Sequence, residues 1–132
     1  MQLPAEAVSA TALIEVVRLT APPRRSPSGP FTGDPVALWA GAEARTALSL
    51  AASLPDGVRH RCGFHPGWAM RAYEDHLAFA LFEAQFCFRC HEVRLHGPAV
   101  PPRLTHQLFA PESPAGRALL ALFRATASAP AP

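Results

Sequence analysis

Hydrophobic positions along the chain fall into blocks separated by proline- and glycine-rich breaks, and the period inside each block sets the element expected there. The first block, "ALIEVVRL" at 12–19, carries the β-branched Ile14, Val16 and Val17 and predicts a strand. The "PAEAVSATA" before it has the composition of a short helix leading into that strand. The sixteen residues "TAPPRRSPSGPFTGDP" hold five prolines and two glycines, which remove backbone donors and fix φ too often for regular structure, so a loop is expected over 20–35. Asp34 followed by Pro35 is a cap and first-turn pair suited to opening a helix. "AEARTALSLAASL" then places positions 47, 50, 51 and 54 on one face and predicts an amphipathic helix over 43–54, closed by Pro55-Asp56-Gly57.

The last block, "SPAGRALLALFRATAS", opens with Ser113 as N-cap and Pro114 in the first turn, and its Leu119, Leu120, Leu122 and Phe123 form a broad stripe. A helix is predicted over 114–127, with residues 128–132 fraying beyond it. The central block "LAFALFEAQFCF" at 77–88 is ambiguous. As a strand, Ala78, Ala80, Phe82, Ala84, Phe86 and Phe88 make one apolar face while the other turns polar at Glu83 and Gln85; as a helix, Asp75 caps it and Phe79, Phe82 and Phe86 share a side. Just upstream, Trp68 alternates with Met70 and Ala72, which favours a sheet-face core role over a binding role.

The segment "HRCGFHPGWAMRAYEDHLAFALFEAQFCFRCHEVRL" resembles an uncharacterised bacterial family in which a Cys-Phe-x-Pro-Arg-His-Gly-Ile-Arg stretch, a short hairpin turn and an Ile-Cys-Phe-Glu-Cys motif follow one another. Cys62 matches the first cysteine, Met70-Arg71-Ala72 the following strand, Glu74-Asp75-His76 the turn, and Phe86-Cys87-Phe88-Arg89-Cys90 the second motif. The likeness spans about residues 60–95 and departs in the first motif, where "CGFHPG" carries one extra residue and the family histidine has no aligned counterpart. It implies a strand hairpin here, which decides the central block for strand, and it implies no activity.

A hairpin puts the neighbourhoods of Cys62 and Cys87 on adjacent strands. Cys62, His65, Cys87 and Cys90 then offer a Cys₃His set suited to tetrahedral zinc, so a structural zinc is the expected cofactor if those four converge. Because residues i and i+3 of a straight strand face opposite ways, Cys87 and Cys90 can act together only if the chain turns at Phe88-Arg89. The same turn would serve a thiol–disulfide pair, with Cys62 as a third thiol and Arg89 or His91 favouring a thiolate. A third outcome is plain core packing beside Phe82, Phe86 and Phe88. The remaining histidines share no motif spacing, and H-E-x-x-H, G-x-S-x-G and phosphate-loop patterns are absent from the sequence, so no catalytic residues are assigned.

Composition narrows the class without naming a partner. Twelve basic and ten acidic residues leave a formal charge of +2, short of the basic stripe that nucleic acid demands. Every basic residue other than histidine is arginine, which reads first as the codon bias of a GC-rich bacterial genome. No apolar run reaches the ~20 residues of a membrane span, and the N-terminus lacks a signal-peptide pattern, so a soluble cytoplasmic location is expected. An odd count of three cysteines argues for reduced thiols, metal ligation or redox chemistry rather than a disulfide framework.

The expectation is a single α+β domain over 1–132, in which an antiparallel sheet of about three to five strands is covered on one face by the 43–54 and 114–127 helices. The opposite face, polar near Glu83 and Gln85, is expected to be wet or to meet a partner. The function expected is a small non-catalytic interaction or accessory module with a Cys/His cluster, acting through a protein partner or as a homo-oligomer. The alternative is a thiol-redox or metal-dependent protein using Cys87, Cys90 and Cys62.

Overall fold

In a computed structural model, residues 1–20 and 33–128 are described, so most of the expected 20–35 loop and the end of the frayed tail lie outside the described residues. Three helices, α1 (Ala5–Ala10), α2 (Ala42–Ala52) and α3 (Pro114–Ser128), accompany strands β1 (Leu13–Leu19), β2 (Gly33–Ala40), β3 (Trp68–Tyr73), β4 (Phe82–Cys87), β5 (Glu92–His96) and β6 (His106–Leu108). The strands form one antiparallel sheet in the order β2-β1-β3-β4-β5-β6.

The mixed α/β class follows the sequence expectation, but six strands exceed the three to five expected. One of the additional strands is β2, where Asp34-Pro35 begins no helix. Pro35 sits instead on the outermost strand, opposite Val17, where the register with β1 slips at a bulge. A proline is tolerated there because an edge position at a bulge does not need its N–H. β5 and β6, of five and three residues, are too short to stand out in the sequence.

Register assigns each side chain to a face. Ile14 pairs with Ala72, Val16 with Met70, Trp68 with Phe86, Met70 with Ala84, and Phe86 with Val93, so all of these project to the same side. They share one buried cluster with Ala44, Ala47, Leu48 and Ala51 of α2 and Leu119 and Phe123 of α3. The small alanines of α2 enter this cluster beside the aromatic rings of Trp39, Trp68, Phe86 and Phe123, which pack on one another. At about 25 cal/mol per Å² of apolar surface removed from water, this cluster dominates the folding free energy. Ser113 caps α3 as expected, its hydroxyl accepting the Gly116 N–H at 3.1 Å.

On the second face Glu83 and Gln85 are buried where a wet surface or a partner surface was expected. Glu83 and Gln85 are 8% and 1% exposed. Arg71 lies directly across from Glu15 on β1 and Glu83 on β4, donating to both carboxylates. The Gln85 amide donates to the other oxygen of Glu83 at 2.7 Å. Burial first, and then the Glu15 charge, push the Tyr73 phenol above its ordinary pKa. Every buried side-chain N and O among the described residues has a hydrogen-bond partner. The central block is a strand only from Phe82, since Leu77 and Phe79 lie exposed in the β3–β4 connection.

Candidate functional site

The β4–β5 hairpin carries the two paired cysteines. Cys87 pairs with Glu92 as the last rung of the ladder, and the chain reverses through Phe88, Arg89, Cys90 and His91. The left-handed backbone of His91, at φ 62°, returns the strand. This is the turn at Phe88-Arg89 that shared action of the cysteines requires. The Cα atoms of Cys87 and Cys90 stand 5.5 Å apart, inside the range a disulfide spans, and the two sulfurs are bonded to each other. The Cys90 N–H also points at Cys87 Sγ, 3.4 Å away.

Packing fixes the turn. Phe88 leaves Cys87 on the opposite side of the strand and packs against the core cluster, edge-on to Phe109 at 5.3 Å and to Phe123 at 6.3 Å. The His91 carbonyl accepts the Phe109 N–H at 3.0 Å. Its imidazole lies 3.8 Å, centroid to centroid, from that of His60. Burial first, then the nearby His60, hold His91 below the ordinary histidine pKa. Cys87 and Cys90 are both almost fully buried, at 1% and 2% exposure.

The other two proposed ligands lie elsewhere in kind. Cys62 is an exposed free thiol and His65 is exposed, both on the connection between α2 and β3. Phe64 between them turns to the second sheet face, under the Arg94 guanidinium at 4.0 Å. Among the described residues no group of three or more His, Cys, Asp or Glu side chains is placed to hold a metal ion. Ligation would need Cys87 and Cys90 as two separate thiolates, so a zinc site and the disulfide are alternative states of the same pair.

The structure does bring His65 together with the cysteine loop, at Phe88 and Arg89. His65, Phe88 and Arg89 line an open groove of about 760 Å³, completed by Trp68, by Arg18 at the end of β1, and by one face of α3. That helix face, Arg117, Leu120 and Arg124, repeats at three- and four-residue spacing, a signal present in the sequence that the apolar stripe of Leu119, Leu120, Leu122 and Phe123 masked. Arg18 and Trp68 give no such signal, because only the register of β1 on β3 makes them neighbours.

Compared with protein-family models, with curated proteins and with solved structures, the chain shows no significant match in any of the three. No helix among the described residues is long and apolar enough to cross a membrane.

Proposed function

We propose that the protein is a small non-catalytic interaction module whose Cys87–Cys90 pair is a buried thiol–disulfide staple of the β4–β5 hairpin, with α2 and α3 covering one face of the sheet. The observation that carries this reading is the bonded pair closing a turn whose two enclosed residues, Phe88 and Arg89, form a wall of the groove. Catalytic exchange needs an accessible thiolate to attack a substrate disulfide, and burial of both sulfurs opposes that role. Formation of the staple from two thiols transfers two electrons and two protons to an external disulfide, which leaves as two thiols. A ring this short constrains the unfolded chain by about 2 kcal/mol in the chain-entropy account, enough to hold a turn and too little to be the main source of stability.

The test is a free-thiol count on denatured protein purified without reductant or chelator, with native and denatured masses measured on the same sample. One reactive thiol, assigned to Cys62, and a denatured mass lighter by two hydrogens than the reduced chain support the staple. Three reactive thiols and a native mass heavier by one zinc would replace it with the metal reading of Cys62, His65, Cys87 and Cys90.

A further inference from the structure

Among the described residues, the groove beside the cysteine loop collects four guanidiniums, Arg18, Arg89, Arg117 and Arg124, against a single carboxylate, Glu112, in a chain whose net charge is only +2. One third of the arginines are therefore gathered on one opening. Two of the four are committed. Arg18 lies over the Trp68 ring at 4.5 Å and donates to the Gly67 carbonyl at 3.3 Å, and Arg117 meets Glu112 at 3.5 Å. The Arg89 and Arg124 side chains have no hydrogen bond or ion pair among the described residues, and both are exposed. Between the charges the half-buried Phe88 and Leu120 supply apolar surface, while Trp68 lies beneath Arg18.

We infer that this groove binds an acidic protein segment in which carboxylates alternate with apolar side chains. Planar guanidiniums carry fixed pairs of donors that match a carboxylate in two parallel hydrogen bonds, and the apolar floor suits the side chains between the acids. An open trough suits a chain laid along it better than an enclosed small molecule. Nucleic acid fits less well. Single strands are held by bases stacked on exposed aromatic faces, whereas Trp68 is 5% exposed, with Phe123 parallel to it at 5.2 Å and Arg18 over the ring.

This names the partner class of the interaction module and rests on that reading, but not on the state of the cysteine pair, which the thiol count decides separately. The experiment is fluorescence anisotropy of the full chain with a short labelled peptide alternating Glu and Leu, beside its Gln–Leu and Lys–Leu counterparts and a single-stranded oligonucleotide of similar length. The expected result is binding of the Glu–Leu peptide alone, weakened by added salt and by about tenfold or more when Arg89→Gln is combined with Arg124→Gln, a loss equivalent to about 1.4 kcal/mol. Both positions are exposed, and an unchanged melting temperature shows that the variant is folded. Equal or tighter binding of the neutral peptide, the basic peptide or the oligonucleotide overturns the acidic class while leaving an interaction module. Binding by none of the probes, or binding that the double variant leaves unchanged, overturns the groove as the site.

Discussion

Phe123 of α3 lies flat against Trp68 of β3, with ring centroids 5.2 Å apart and planes within 5° of parallel. The contact ties the last helix to the centre of the sheet, and the same phenyl ring touches Trp39, Phe86 and Phe88. It is fully buried, so truncation leaves a cavity that its rigid aromatic neighbours fill poorly. Phe123→Ala is expected to cost about 3–5 kcal/mol, read as a lowered urea midpoint at unchanged slope. A loss below about 1 kcal/mol would show that α3 is not anchored there.

Arg71 joins three strands through Glu15 and Glu83, and removing it leaves Glu83 buried without its countercharge. Stripping one partner from a fully buried pair costs about 3–5 kcal/mol. The Arg71 side chain is 27% exposed, so solvent screens part of the interaction and Arg71→Met is expected to cost about 1–3 kcal/mol. Combining it with Glu83→Leu should recover part of the loss, because no charge then stays buried alone. A double-mutant cycle with no coupling would remove the network from the account of stability.

Acidification should weaken the fold through two histidines. Burial is the first cause that lowers both His91 and His96 below 6.5, with His60 adding to it for His91. The unfolded chain therefore takes up their protons at a higher pH than the folded one does. Their contribution is complete above 6.5 and is lost as pH falls through the lower folded values. An NMR titration should place the His91 midpoint below 6.5, and His60→Gln should raise it. His91→Asn, which tolerates the left-handed backbone, should flatten the pH dependence of the urea midpoint in that window. A His91 midpoint at or above 6.5 would contradict the packing of the two rings.

Gly116 reverses the usual helix rule. Exchanging glycine for alanine inside a helix ordinarily gains about 1 kcal/mol. Here a Cβ would stand 2.5 Å from the Pro111 carbonyl oxygen and 2.8 Å from that of Ala110, both backbone atoms that cannot swing aside. Gly116→Ala is expected to lower the melting temperature, and a raised one would show that the 110–111 segment gives way.

The elements legible in the sequence were those whose signal is local. The β-branched run gave β1, the alanine-leucine face gave α2, and the Ser113 cap with its apolar stripe gave α3, each within a few residues of its observed ends. β2 was hidden because Asp34-Pro35 carries the chemistry of a helix start, and only its place at the sheet edge lets a proline lie in a strand. Glu83 and Gln85 looked solvated because nothing nearby in sequence shows that Arg71, twelve residues from Glu83, crosses to meet it. The cysteine pair was visible as spacing and its turn was not, since the reversal depends on Phe88 finding Phe109 and Phe123.

The slip between Val16 and Val17, facing Pro35, interrupts the ladder at one border of the sheet. An outermost strand with exposed Val36 and Leu38 is the kind of border onto which another chain could be stitched. A missing donor and a local bend interrupt the regular row of backbone groups that such stitching copies, and at the far border β6 is only three residues long. Borders interrupted or shortened in this way are poor templates for a further strand.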